Sequence, residues 1–265
     1  MPLISVIMST RNGEKTLLES IESILNQSIS NLELIICDDA STDNTLELLK
    51  QAQQKDSRIV IIHNETNLGL SRSLNKCLKQ STGEYIARMD DDDYSFENRF
   101  EKQIEVLEKH PEYAFVGTGC ICFNGIEEGD MRNFPEIPNT KNLIKGSPYL
   151  HPSVMFRREA IMSVGGYSEK PYAIRRAQDY ELFMRMASQN LCGYNMQEPL
   201  IRYFYRQQLG QKKRSVRTVI DGIQIRYNGY RQLRVKPWIY IFVFIPVYVY
   251  IKQGIISFFK TAKKI

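Results

Sequence analysis

The chain has 265 residues, of which 43% are hydrophobic and 25% charged. This composition excludes an intrinsically disordered protein, and the length suits one large domain or one domain with an appendage. The net charge of +5 is unevenly distributed, because residues 200–265 contain 14 Lys and Arg residues against a single acid, Asp221. We therefore expect an acidic body and a basic tail that meet different environments.

The cysteines and the start of the chain both favour the cytosol. The five cysteines form an odd set without a CxxC spacing, which predicts reduced core thiols. Residues 1–10 lack the basic start and apolar helix of a signal peptide and instead predict a first strand.

Four consecutive β–α units are predicted in the first half of the chain. Apolar runs indicate the strands, and apolar residues at helical spacing indicate the helices between them. The predicted strands are 3–9, 32–37, 58–63 and 85–89, and the predicted helices are 14–26, a segment capped by 41–43 that ends near 55, and 70–79. Such units form a doubly wound, mainly parallel α/β sheet with right-handed crossovers and flanking helices.

The remainder of the body is predicted to extend this sheet. Its predicted elements are a helix at 96–109, a strand at 113–123, a polar loop at 124–138, a strand at 151–158, a sharp turn at 165–167, a helix at 178–187, and short strands at 193–196 and 200–205.

Four aspartates, Asp90 to Asp93, follow the predicted strand 85–89 directly. In an open α/β sheet, ligands collect beyond the carboxyl ends of the strands. Adjacent carboxylates repel one another unless a cation or hydrogen-bond donors hold them, and oxygen ligands suit Mg²⁺ and Mn²⁺. The run therefore predicts a metal that holds a phosphorylated ligand. The alternative is a solvated acidic loop or a helix N-cap.

Two common nucleotide-binding loops are absent. The first strand is followed by the sequence TRNGE rather than by a GxGxxG loop, and no GxxxxGK[ST] loop occurs. A phosphorylated ligand must then be held by a metal and by basic side chains.

Seven segments match one family in that family's order. They are 5–12 (SVIMSTRN), 37–43 (CDDASTD), 67–71 (NLGLS), 83–93 (GEYIARMDDDD), 151–153 (HPS), 165–167 (GGY) and 178–182 (QDYEL). Through these segments, residues 3–208 resemble the family 2 glycosyltransferases with the GT-A fold. Each segment alone is a weak signal, whereas seven in order are a strong one.

The resemblance implies a nucleotide-sugar donor and inversion at the anomeric carbon. It implies Asp179 as the general base that deprotonates the acceptor, Asp92 as the direct ligand of a Mn²⁺ or Mg²⁺ ion, and Asp90 as the partner of the ribose or of a bound water. The implied nucleotide-sugar contacts are Ser9, Arg11, Asp39, Arg72, Arg88, Asp90 and Asp91. His151, Tyr167 and Gln178 are weaker candidates for the donor-sugar or acceptor region.

Several of these residues have an alternative structural interpretation. Asp39 could start a turn, Asp179 could cap a helix, Arg72 could lie on a helix surface, and His151 could be packed without touching a ligand. The chain also departs from the family, since Gln178 replaces a common acid and Gln208 replaces a histidine that some relatives use near the metal.

The C-terminal segment is predicted to associate with a membrane. Residues 237–251 form an aromatic-rich run of 15 residues, below the ~20 that cross a bilayer. Pro246 would kink a helix there, and basic residues flank both ends. We expect the segment to lie in or dip into the cytoplasmic leaflet, with a single span or packing on the body or a partner as alternatives. Its hydrophobicity disfavours nucleic acid as the partner.

Together these patterns predict an inverting, metal-dependent glycosyltransferase domain at 1–208 and a basic membrane-associating segment at 209–265. The expected donor is a UDP-type nucleotide sugar, and the expected acceptor is a saccharide or polyprenyl-linked saccharide at the inner face of the cell membrane. A sugar nucleotidyltransferase and a non-catalytic nucleotide-sugar-binding protein are the alternative functions.

Overall fold

The computed structural model describes residues 2–174, 177–205 and 215–252. The strands in this part of the chain are β1 (Ile4–Thr10), β2 (Leu32–Asp38), β3 (Ile59–His63), β4 (Tyr85–Met89), β5 (Tyr94–Ser95), β6 (Tyr113–Phe123), β7 (Glu128–Arg132), β8 (Met155–Arg157) and β9 (Cys192–Phe204). The α-helices are α1 (Leu17–Leu25), α2 (Thr45–Lys55), α3 (Leu70–Gln80), α4 (Arg99–Lys109), α5 (Thr140–Lys145), α6 (Arg158–Ser163), α7 (Pro171–Ile174), α8 (Gln178–Ser188) and α9 (Val216–Gln232). Two 3-10 helices span His151–Ser153 and Pro237–Phe244.

The strands form one sheet in the order β3-β2-β1-β4-β8-β6-β9-β5, with β7 paired to β6. The first four are parallel neighbours. Strand β8 is antiparallel to both β4 and β6, so β6 and its parallel neighbour β9 run in the same direction as β4. The carboxyl ends of β1, β2, β4, β6 and β9 therefore meet at one edge, which we call the site edge. The predicted α/β fold is confirmed.

Hydrophobic clusters cover both faces of the sheet, which explains why the early strands are continuously apolar. Along β1, Val6 and Met8 pack in the cluster that includes Phe100 of α4, whereas Ile7 packs in the opposite cluster with Leu74 of α3. Side chains alternate between faces in a strand, so a strand covered on both sides needs apolar residues at every position.

The prediction of one strand at 151–158 was wrong for most of these residues. It divides into a 3-10 helix, the short strand β8 and the start of α6. Pro152 has no N–H group for a strand ladder. Ser153 stabilises the turn instead, because its Oγ accepts a hydrogen bond from the Thr118 N–H at 3.0 Å and donates to the Leu150 carbonyl at 2.8 Å.

Two further predictions are corrected by strand pairing. The predicted loop 124–138 contains β7, which extends the sheet as an exposed strand paired with β6. The two short strands predicted at 193–196 and 200–205 are one strand, β9, with an irregular register. Thr118 pairs with Met196 and Gly119 with Pro199, so two residues of β9 bulge outward where the proline cannot donate to the ladder.

The C-terminal elements pack onto the body. Helix α9 lies against α8, and a Cβ atom on Gly229 would stand 2.3 Å from the Met184 Sδ. Tyr230 and Val243 belong to the same buried cluster as Phe183 of α8. Within the described ranges, no helix has both the length and the apolar character needed to cross a bilayer. The predicted boundary after residue 208 lies outside the described residues. Residues 253–265, with the lysines that follow the apolar run, also lie outside them.

The close approach at Gly83 gives a test of the packing beneath β4. A Cβ atom there would lie 2.6 Å from the Ser5 backbone nitrogen and 2.8 Å from the Ile4 carbonyl carbon. We expect Gly83→Ala to lower the free energy of unfolding by about 1–3 kcal/mol, because backbone atoms cannot move aside cheaply. Urea unfolding measures the change.

Gly146→Ala is the matched control, since Gly146 has an extended φ of 166° and no atom lies within 4 Å of its Cβ position. Equal unfolding free energies for the two variants would contradict the tight contact at Gly83.

Candidate active site

The loop of four aspartates leaves β4 at the site edge, and helix α1 holds it there. The Oγ atom of Ser20, a buried residue of α1, lies 2.8 Å from the Asp90 carbonyl oxygen and 2.7 Å from the Asp93 carbonyl oxygen. This contact fixes the backbone on both sides of the loop, so the carboxylates project from a rigid turn.

Asp90, Asp92 and Asp93 form what we call the acidic triad. One carboxylate oxygen from each lies within 4.8 Å of the other two. Asp93 is buried, and one of its oxygens accepts a hydrogen bond from the Phe204 N–H at 2.7 Å. Its other oxygen is buried without a hydrogen-bond partner among the described residues. Burial, followed by the charge of Asp90, raises the pKa of Asp93 well above its usual value.

The acidic triad fits a divalent cation. Its donors are carboxylate oxygens, which Mg²⁺ and Mn²⁺ prefer. A cation would also provide a partner for the unpaired oxygen of Asp93 and offset the repulsion within the triad. Asp93 was not among the predicted site residues, although it belongs to the aspartate run.

The Asp91 carboxylate is not part of the acidic triad and contacts strand β1 instead. Its Oδ2 accepts a hydrogen bond from the Thr10 hydroxyl at the end of β1. Gly13 makes room for this contact, because a Cβ atom there would lie 2.6 Å from both partners. Burial, partly offset by the Thr10 hydrogen bond, raises the pKa of Asp91. The prediction that Asp91 contacts the nucleotide sugar is untested, and the contact observed is one within the protein.

Arg88 is the buried cation of the site. Its guanidinium contacts the Asp90 carboxylate, and its Nε and Nη1 groups have no hydrogen-bond partner among the described residues. Arg99 lies behind it and donates from Nη2 to the Arg88 carbonyl at 3.0 Å. Burial lowers the pKa of Arg99 to about 9. The N–H groups on these two nitrogens of Arg88 are buried, and the described residues provide no acceptor for them.

His151 and Tyr167 form a buried pair beside Arg88. The His151 Nε2 lies 2.7 Å from the Tyr167 hydroxyl, and the two rings make an edge contact at 5.4 Å. Burial, followed by the charge of Arg88, holds the pKa of His151 well below its usual value. Burial also raises the pKa of Tyr167. Both side chains are therefore neutral at neutral pH.

Asp179 lies in the first turn of α8, next to Gln178. The N-cap residue is Ala177, with a φ of 57°, so Asp179 is not the cap. Burial raises the pKa of Asp179. The backbone N–H groups of Tyr180 and Asp179, the charge of Arg88 and a hydrogen bond from Ser147 lower it. The carboxylate is half-buried and within electrostatic reach of Arg88, which links it to the acidic triad.

Asp39 fixes the turn that precedes α3. Its carboxylate accepts hydrogen bonds from the N–H groups of Leu68 and Gly69 at 2.8 Å, and from the Asn64 side chain at 2.9 Å. The turn that it fixes lines an open cleft together with Gln178 and Asp179. Asp39 therefore makes contacts within the protein, and its predicted contact with the nucleotide base remains a prediction.

The remaining predicted contacts lie on or just after β1 and on α3. Ser9 is half-buried near the end of β1, and Arg11 is exposed just after that strand. Arg72 lies on α3 with 44% of its side chain exposed and pairs with Glu169 at 3.6 Å. Gln208 lies outside the described residues. No sequence pattern indicates the role of Ser20, because a serine in an amphipathic helix does not reveal what it contacts.

The Glycosyl transferase family 2 profile matches residues 5–165. The chain belongs to this family. EpsE of Bacillus subtilis is 43% identical over 248 residues, covering 93% of this chain and 88% of that protein. An Escherichia coli relative, the UDP-Glc:alpha-D-GlcNAc-diphosphoundecaprenol beta-1,3-glucosyltransferase WfaP, is 30% identical over 210 residues, covering 79% of each chain.

A solved structure supports the fold of this glycosyltransferase. S. aureus TarS 1-349 in complex with UDP-GlcNAc aligns with a TM-score of 0.68 at 20% identity, covering 88% of this chain and 70% of that one. The predicted family and the GT-A fold are thus confirmed, and the relatives include glycosyltransferases of polysaccharide synthesis.

The buried His151 of the transferase should make its stability depend on pH. The unfolded chain takes up a proton near pH 6.5, whereas the folded chain does not, so stability is present above that pH and lost as the pH falls. One such proton contributes up to about 1.4 kcal/mol per pH unit. We expect His151→Gln to flatten the decline of the unfolding free energy between pH 6.5 and 5, measured by urea titration.

His110→Gln is the control, since this histidine is exposed and pairs with Glu112 at the surface. A decline that persists unchanged in His151→Gln would show that this residue is not the source.

Proposed function

We propose that the chain is an inverting glycosyltransferase that builds a surface polysaccharide. It transfers a sugar from a UDP-type donor to a hydroxyl group of a saccharide on a polyprenyl diphosphate. The observation that supports the proposal is that the acidic triad contacts the buried Arg88, whose charge also acts on Asp179. The E. coli relative named above, whose name gives a UDP-sugar and a diphosphoundecaprenol acceptor, supports the substrate classes.

The diphosphate of the donor is assigned to the triad and Arg88. A divalent cation bound by Asp92, with Asp90 and Asp93 beside it, would stabilise the negative charge that grows on the leaving diphosphate. Arg88 would contribute its Nε and Nη1 nitrogens, which are buried and have no partner among the described residues. Ser9, Arg11 and Asp39, at the ends of β1 and β2, are assigned to the nucleotide. Arg72, on the surface of α3, is the weakest of these assignments.

Asp179 is assigned as the general base. The acceptor hydroxyl is too weak an acid to attack unaided, and the carboxylate accepts its proton as the new C1–O bond forms. The bond from C1 to the diphosphate oxygen breaks on the opposite face, and the nucleoside diphosphate leaves with that electron pair. One displacement of this kind inverts the anomeric carbon without a covalent enzyme intermediate. His151, Tyr167 and Gln178 are assigned, as weaker candidates, to the region where the sugars would meet.

The acceptor chemistry also accounts for the proposed location. A saccharide on a polyprenyl diphosphate stays in the membrane, whereas nucleotide sugars are dissolved in the cytoplasm. We therefore assign the chain to the cytoplasmic face of the cell membrane, with the catalytic domain in 1–208 and the attachment in 209–265.

A sugar nucleotidyltransferase is the alternative enzyme. It would release pyrophosphate rather than a nucleoside diphosphate, so analysis of the released product separates it from the proposed reaction.

Asp179→Asn tests the base assignment. We expect turnover to fall by about 10²–10⁴-fold, because an amide cannot accept the proton, while the dissociation constant of the donor changes only a few-fold. Turnover is measured by release of the nucleoside diphosphate, and donor binding by calorimetry. Asp130→Asn, the same substitution on the exposed strand β7, is the control. Normal turnover in Asp179→Asn would remove this residue as the base.

Asp92 and Asp91 are adjacent, and the proposal gives them different partners. We expect Asp92→Asn to weaken Mn²⁺ binding by at least about tenfold, as losses at metal sites commonly do. Asp91→Asn should change it only a few-fold, because Asp91 faces Thr10. Electron paramagnetic resonance of free Mn²⁺ measures both without requiring activity. Equal losses in the two variants would contradict the assignment.

A further inference from the structure

The segment 237–252 exposes a large apolar surface although it is firmly attached to the body. Its buried side is anchored by Val243 and by Tyr240, whose ring makes edge contacts with Tyr227 and Tyr230 at 5.8 and 6.1 Å. The opposite side, which we call the aromatic face, consists of side chains that are 40 to 70% exposed: Trp238, Ile241, Phe242, Phe244, Tyr248 and Ile251. Exposed apolar patches of this kind mark interaction sites.

The charges around the aromatic face indicate what covers it. Arg231, Arg234 and Lys236 are exposed immediately before the segment. Aromatic and aliphatic side chains next to basic residues match an anionic lipid surface, in which rings enter the headgroup region and the cations meet phosphates. The 3-10 helix Pro237–Phe244 and the described helical residues after it do not meet the requirements for a membrane span.

We propose that the aromatic face docks the protein on anionic bilayers, with residues 237–252 lying along the membrane surface. The occupant is a lipid headgroup layer rather than a protein partner, because the apolar side chains are bordered by several cations. The biological reason for docking rests on the proposed lipid-linked acceptor, whereas the docking itself depends only on these residues.

The docking surface is connected to the catalytic elements through packed helices. Val243 and Tyr240 hold the segment on α9, and Tyr230 of α9 donates a hydrogen bond from its hydroxyl to the Ile144 carbonyl at 2.8 Å. Gly229 brings α9 against Met184 of α8, whose first turn carries Asp179. Docking would therefore keep Asp179, the proposed base, within a limited range of distances from the bilayer surface.

Trp238 makes the proposal directly measurable, because it is the only tryptophan in the sequence. We expect its fluorescence to shift to shorter wavelength when the full chain meets vesicles of phosphatidylcholine mixed with phosphatidylglycerol, and brominated lipids should quench it. Vesicles of phosphatidylcholine alone should produce a much smaller change. No shift and no quenching with either vesicle would overturn the proposal.

Sedimentation with the same vesicles tests the individual residues. Ile241→Ser with Phe244→Ser should reduce binding at least about tenfold, because both side chains lose apolar contact with lipid. Arg231→Gln with Arg234→Gln should reduce binding by about fivefold for each charge removed. Ile126→Ser with Ile137→Ser is the matched control, since these exposed side chains lie in the 124–138 region. Equal vesicle binding by wild type and Ile241→Ser/Phe244→Ser would overturn the proposal.

A second copy of the chain is the competing occupant. If it covers the aromatic face, the wild type will form dimers in solution that Ile241→Ser/Phe244→Ser abolishes, and neither protein will bind vesicles; this outcome also overturns the proposal. Vesicles without acceptor are used throughout, so failure of docking leaves the transferase assignment standing. Conversely, the Asp179→Asn test measures turnover without vesicles, so its result does not depend on docking.

Discussion

The buried Arg88 is the constraint on which the site depends. Moving a guanidinium out of water costs several kcal/mol unless carboxylates and hydrogen-bond acceptors surround it. Arg88 contacts Asp90, and the charge of Asp93 also favours its ionised form. Because Arg88 lies within β4, the last strand before the aspartate run, the strand and the acidic triad cannot be positioned independently. The site edge is built around this residue.

Charge balance explains why such a site should take a divalent cation. The triad and Asp179 supply four carboxylates, whereas Arg88 and Arg99 supply two buried guanidiniums, and His151 is neutral because burial holds its pKa low. A diphosphate would bring further negative charge into this environment. Carboxylates held within 4.8 Å of one another would oppose it unless a cation intervenes. Metal and donor should therefore bind as a coupled pair.

The sequence predicted the parts of the fold where local pattern and tertiary packing agree. Strands β4 and β6 have the predicted bounds, because continuous apolar runs between polar turns leave few alternatives. The segment 151–158 was mispredicted because its apolar residues resemble a strand, while Pro152 and the Ser153 hydrogen bonds favour a tight turn. Strand β7 was missed because all five of its residues are exposed, so no alternation of apolar and polar residues indicates it.

The four aspartates show where sequence reasoning about the site reaches its limit. The run and its place after a buried strand could be recognised, but the direction of each carboxylate depends on a turn held by Ser20, a residue with no functional signature. That turn directs Asp91 to Thr10 and brings Asp93 to the triad, with one oxygen unpaired within the described residues. Since adjacent side chains leave a turn in different directions, spacing alone cannot assign them. The contact between α1 and the aspartate loop therefore determines which carboxylates are available to a metal.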